Sequence, residues 1–365
     1  MLFDHTKNAR LVGRPNESLR EVFLFFCSLV SPWKCPFIGI GYAFKFPQIQ
    51  YHTMKLRRVA LTALGTVGAV AAGNRTLLAR ADSLSPALSG RTETFRWRGF
   101  DISYAEGGDP ADEDVLLLHG IHAAASNKEF DRVFDRLAEH YHVLAPDLPG
   151  FGLSDRPPLL YSASLYQSFV TEFAREHTDD AVCIASSLSG AYAAATQRET
   201  APFSRLVLLA PTADTGPNRP WVRTLFRTPV VGTGLFNLVS SKPSIWYFTD
   251  RESVWDTTSV TDEDVDYYWQ TAHQPGARFA PASFVSGFLD LDEDLGNLLS
   301  ELDVPITLVW GKESPFPTIE DGRELAQKAD VKLIVIDQAK LLAHLEHPQL
   351  LLDALDDELP SLVET

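Results

Sequence analysis

The chain has 365 residues, 45% of them hydrophobic and 22% charged, which suits one α/β unit with an insertion as well as two average domains. A formal net charge of −16 excludes the Lys and Arg footprint that a phosphate backbone requires, so no nucleic-acid partner is expected. Three cysteines, Cys27, Cys35 and Cys183, are too few for a disulfide framework.

Residues 1–53 differ from the rest of the chain, holding two of the three cysteines, seven of the 22 phenylalanines and a net charge of about +3. They read as an extension ahead of a start at Met54; as a membrane segment they fail, because Pro32, Lys34 and Pro36 break the apolar run. Residues 54–81 open on Lys55-Leu56-Arg57-Arg58 and continue with an apolar stretch over 59–72. That pattern predicts a signal- or anchor-like helix that touches a membrane through 59–72, too short to span one. The other expectation is a surface helix on a cytoplasmic protein. Residues 82–92 read as a linker, and the main domain is expected over 93–365.

Beyond the linker, alternation predicts strands at 94–97, 100–105, 115–118, 141–145, 181–185, 206–210, 306–310 and 332–336. Helices are expected at 129–139, 165–177, 190–198, 319–329 and 349–357. The rhythm breaks over about 212–302, which reads as an inserted helical lid. Alternation of this kind predicts an α/β fold: a mostly parallel, doubly wound sheet.

Chemistry concentrates in Val182-Cys183-Ile184-Ala185-Ser186-Ser187-Leu188-Ser189-Gly190, an apolar strand running through a small-x-Ser-x-small turn into a helix. Such a turn brings two backbones too close for large side chains two places before and after the serine, and Ala185 and Ser189 satisfy that demand around Ser187. Centring on Ser186 would place Ile184 and Leu188 there, so Ser186 is only a pocket candidate. His119-Gly120-Ile121-His122 follows one predicted strand, and Asp147-Leu148-Pro149-Gly150-Phe151-Gly152-Leu153-Ser154 follows the next.

On these motifs the region 100–348 resembles the α/β-hydrolase superfamily, and its acidity resembles that of uncharacterised haloarchaeal members, whose surface suits a salty cytoplasm. The resemblance implies Ser187 as nucleophile, an oxyanion hole from the backbone N–H groups of Leu188 and Ile121, and a loop-organising role for His119. Its His122 is a candidate to face the pocket.

The base and acid depart from the family pattern. Where relatives carry a catalytic histidine the chain has Leu341, and His344 matches the second, accessory histidine, one turn later. His344 is the favoured base, with His273 of the lid in reserve. For the acid, Asp214 and Glu313 both stand near places that relatives use, and Asp214 also reads as an Asx-turn residue. There is no metal-binding spacing, dinucleotide fingerprint or phosphate loop, so no cofactor is expected.

Four of the seven tryptophans fall in the lid, which predicts an aromatic wall and a small substrate with an apolar acyl or alkyl group. The expected activity is hydrolysis of an ester, thioester or lactone through an acyl-enzyme. The alternatives are a degenerate binding protein that keeps the pocket without a base, and a lyase or acyltransferase of the same fold.

Overall fold

A computed structural model describes residues 56–355, with side chains from residue 65 onward. The expected extension over 1–53 lies outside the described residues. Helix α1 (Leu56–Arg80) comes first, followed by β1 (Arg91–Trp97), β2 (Phe100–Gly107) and β3 (Asp114–Leu118). A 3-10 turn (Asn127–Phe130) and α2 (Phe134–Ala138) lead to β4 (His142–Pro146), α3 (Ala163–His177), β5 (Ala181–Ser186), α4 (Leu188–Thr200) and β6 (Phe203–Leu209).

The eight strands lie in the order β1-β2-β4-β3-β5-β6-β7-β8, where β7 is Ile306–Gly311 and β8 is Lys332–Ile336. Pairing is antiparallel from β1 through β2 to β4 and parallel thereafter. Every residue of β4, β5 and β7 is buried, as strands covered on both faces must be.

One face of the sheet is covered by α3 and α4. Tyr166, Phe169 and Phe173 of α3 are fully buried there, each side chain contributing roughly 1.5–3 kcal/mol by leaving water. The run Ala191 and Ala193–Ala195 lets α4 lie close to the strands. The other face is covered by Phe130, Phe134 and Leu137 together with Leu351 and Leu352 of α13 (Pro348–Ala354). The single helix expected over 129–139 is instead two short turns, because Val133 leaves the helical conformation at the entry to α2.

The lid follows β6 and contains α5 (Pro220–Arg227), α6 (Val231–Val239), α7 (Lys242–Phe248), α8 (Asp262–Ala272) and α9 (Phe279–Phe284). Helix α8 starts on a capping box in which Thr261 and Asp264 satisfy each other's backbone N–H groups. Then α10 (Leu295–Ser300), β7, α11 (Ile319–Ala329), β8 and α12 (Ala343–Glu346) complete the domain before α13. Lid side chains pack on the loop after β3 and on α12: Val222, Phe226 and Phe236 on Ala124, and Val254, Val260 and Val265 on Leu345. The segment expected as an anchor is the helix α1, and no helix of the described residues is long and apolar enough to cross a membrane.

Candidate active site

Strand β5 ends at Ser186 and α4 begins at Leu188, leaving Ser187 alone in the turn with φ +54° and ψ −128°. A non-glycine residue with positive φ stores backbone strain, which neighbouring bonds must hold. Here Ser187 N–H donates to Leu209 O at 2.9 Å, and Ser187 O accepts from Gly190 N at 3.0 Å and Thr212 N at 3.3 Å. Ser187 is half-buried and Ser186 is buried. Ala185 is fully buried, and Ser189 Oγ donates to His119 O at 2.6 Å, so the small residue after the turn also ties it to the loop beyond β3.

That loop is organised by His119. Leu148 N–H donates to its Nε2 at 3.0 Å, which leaves Nδ1 to carry the proton and donate to Gly120 O at 2.7 Å. Gly120 sits in a tight place: a Cβ there would lie 3.2 Å from Ser186 Oγ, 3.3 Å from Glu129 Oε2 and 3.5 Å from Ser187 Cβ. Asp147 braces the same region, accepting from Asn127 N and Leu153 N, both at 2.7 Å. Gly152, at φ +50°, leaves room for that carboxylate, since a Cβ would come within 1.9 Å of it. The Asp-x-x-Gly-x-Gly-x-Ser segment is thus a brace for the loop carrying Ile121. Among the described residues Ile121 N–H has no hydrogen-bond partner, and Leu188 opens α4, where first-turn N–H groups lack intrahelical acceptors.

His344, in α12, is buried beside Glu129, with Nε2 3.3 Å from Oε1. The two are in contact without hydrogen-bond alignment, so Glu129 Oε1 and both ring nitrogens lack an aligned partner. Glu129 Oε2 accepts from Gly120 N at 2.8 Å, and the Phe130 ring lies 5.5 Å from that of His344. Burial opposes ionisation of Glu129, but the His344 ring and, after it, the Ser186 hydroxyl outweigh it and hold the carboxyl at about 2.

The carboxylate beside His344 is therefore Glu129, and neither Asp214 nor Glu313. Asp214 is exposed and its Oδ1 accepts from Gly216 N at 2.7 Å, an Asx turn. It stands by Asp290, whose carboxyl burial pushes up to about 6, against the pull of its bonds from Thr215. Glu313 Oε2 accepts from Ala339 N at 3.0 Å, supporting the loop after β8. Leu341 packs against Ala210, Trp310 and Ile319. His273 donates from Nδ1 to Trp269 O at 2.7 Å and stacks on the Trp269 ring at 4.3 Å, which keeps it within the lid. His122 is exposed, edge-on to Tyr268 at 6.3 Å, and its Nδ1 accepts from Ala124 N at 3.3 Å. The aromatic lid wall is only partial: Trp221 is exposed because the inner face of α5 is filled by Val222 and Phe226, and Trp255 is exposed as well.

Sequence reasoning missed Glu129. Its one signal was phase: Glu129 stands four residues before the buried Val133, on the same stripe as later core positions.

A model of the alpha/beta hydrolase family matches residues 115–354. The chain belongs to the alpha/beta hydrolase family. An uncharacterised hydrolase of Saccharomyces cerevisiae is 39% identical over 59 residues, which cover 16% of this chain and 20% of that protein. The chain thus matches about a fifth of that relative's length. The uncharacterised hydrolase YugF of Bacillus subtilis is 23% identical over 277 residues, 71% of this chain and 94% of YugF. Among solved structures, a serine hydrolase involved in carbazole degradation superposes with a TM-score of 0.61 at 18% identity, covering 74% of this chain and 98% of that one, a likeness of fold. This alpha/beta hydrolase has a serine turn between β5 and α4, a His-Gly loop after β3 and a buried contact between His344 and Glu129.

Proposed function

We propose that this protein is a serine hydrolase acting on an ester, thioester or lactone with an apolar acyl or alkyl group. The observation that carries the reading is the positive-φ backbone of Ser187, held between a buried strand and the start of α4. In this reading Ser187 Oγ attacks the carbonyl carbon and the Leu188 and Ile121 N–H groups receive the oxyanion, each donor supplying roughly 3 kcal/mol. His344 takes the serine proton and returns it to the leaving oxygen or sulfur. Water then attacks the acyl carbon, losing a proton to His344; the bond between Ser187 Oγ and the acyl carbon breaks, Ser187 takes that proton back from His344, and the acid is released. A base of this kind supplies ~10²–10⁴-fold in rate. Glu129 orients the ring and offsets the charge it gains, the task that an acid after β7 performs in a more usual triad.

A second reading, a binding protein with a degenerate base, draws on the burial of His344 and on the absence of an aligned hydrogen bond at either of its ring nitrogens. A fluorophosphonate probe separates the two. Labelling of the wild type and loss of labelling in Ser187→Ala is the expected result; a folded wild type that takes no label gives the protein to the second reading.

A further inference from the structure

Charge is not spread evenly over this acidic chain. Helix α1 carries Arg57, Arg58, Arg75 and Arg80, and residues 215–249 carry Arg219, Arg223, Arg227 and Lys242. Neither stretch holds one of the 48 acidic residues of the chain. The fold joins the two, since α1 packs on α6 and α6 packs on α5. Asn74 fixes the contact: its Nδ2 donates to Val230 O at 2.8 Å and its Oδ1 accepts from Asn237 Nδ2 at 3.0 Å. Gly234 lets Val70 approach, as a Cβ there would come within 2.9 Å of Val70 Cγ1.

The outward side of this assembly is both basic and apolar. Of the eight large apolar side chains exposed among the described residues, Val67 and Leu78 belong to α1, and Trp221 and Val231 to α5 and α6. Leu160 is exposed next to Leu159, whose carbonyl accepts from Arg227. Arg75, Arg80 and Arg223 make no ion pair with a described carboxylate; Arg223 lies over the Phe288 ring at 3.4 Å. In a molecule with half again as many acids as bases, guanidinium groups left without carboxylates are poised for an external anion.

We propose that the acid-free face built by α1, α5 and α6 docks the protein on an anionic lipid bilayer. Basic residues interleaved with exposed Trp, Leu and Val on short helices are the composition of an interfacial surface, where apolar side chains enter the headgroup layer and arginines meet lipid phosphates. The helix lies along the surface and does not cross it. The acidic remainder is repelled by the same lipids, so charge alone orients the molecule with its lid toward the membrane.

The test is co-sedimentation of the full chain with vesicles of phosphatidylcholine and with vesicles of an equal mixture of phosphatidylcholine and phosphatidylglycerol. Binding to the anionic vesicles only, weakening as salt rises from about 0.05 to about 0.5 M, is expected. Arg75→Glu with Arg80→Glu, both exposed on α1, should weaken it ~10-fold or more, and Arg223→Glu or Trp221→Ala on the lid should weaken it as well. Thermal unfolding of each variant checks that the fold is intact. Equal binding to neutral vesicles, no binding to either, or indifference to both sets of substitutions overturns the proposal. So does self-association without vesicle binding that the same reversals abolish, which would assign the face to the acidic surface of a second copy.

Discussion

At Glu129 a single carboxylate links three parts of the site: it holds Gly120 N–H through Oε2, touches His344 through Oε1 and lies beside Ser186. Glu129→Gln keeps the shape and removes the charge, so the wild-type advantage should appear in kcat. We expect a fall of ~10²-fold in kcat with little change in KM, and partial recovery in Glu129→Asp, since the lost interaction acts when His344 becomes charged. Wild-type kcat in Glu129→Gln would leave Glu129 with only a structural place. Stability adds an independent readout. The folded-state pKa of Glu129 is depressed to about 2 from the ordinary 4.5, so the stability it contributes is present above about 4.5 and is lost as pH falls toward 2. The gap in unfolding free energy between wild type and Glu129→Gln should therefore be constant from neutral pH to about 5 and close below that. A gap that widens on acidification would contradict an ionised Glu129.

The strand-turn-helix element is held by close approach. Ala185 is fully buried, Ser189 bonds the carbonyl of His119, and Gly190 lies against Pro211, 3.0 Å from where its Cβ would be. Ala185→Val adds two methyl groups where none fit and should cost ~1–3 kcal/mol while abolishing probe labelling at Ser187. Full stability and labelling in Ala185→Val would mean that the turn is not sterically tight. This element was legible in the sequence because its requirements are local: small residues at fixed offsets between a strand and a helix. The stretch 129–139 was not legible as it folds. Its apolar spacing fits one helix, yet the buried Asn127 and Glu129 bond to Asp147, Ala145 and Gly120, and those tertiary bonds hold a 3-10 turn in place of the first helical turn. The loop after β8 likewise depends on distant partners: Glu346 accepts from Lys340 N at 2.9 Å, and from Trp255 N at 2.6 Å and Asp256 N at 2.9 Å in the lid.

For the molecule as a whole, a net charge of −16 means that folding brings like charges together. Salt that shortens the screening length to a few ångströms should raise the melting temperature, by a few degrees between about 0.05 and about 1 M, while the same salt weakens vesicle binding. A melting temperature that falls with salt would mean that attractive ion pairs, such as Lys128 with Asp131 and Asp264, outweigh the net repulsion. The two opposite salt responses separate the acidic body from the basic lid face. By itself the sequence determined the order of strands and helices, the turn at Ser187, the glycine and aspartate of the bracing loops and the presence of a lid, because periodicity and local sterics are properties of neighbouring residues. Only the tertiary structure decided which carboxylate meets His344, that Asp214 and Glu313 serve their own loops, and that α1 lies on the lid. Those outcomes depend on segments far apart in the chain, whose encounter is set by how the helices pack on the sheet and by which buried polar groups find partners.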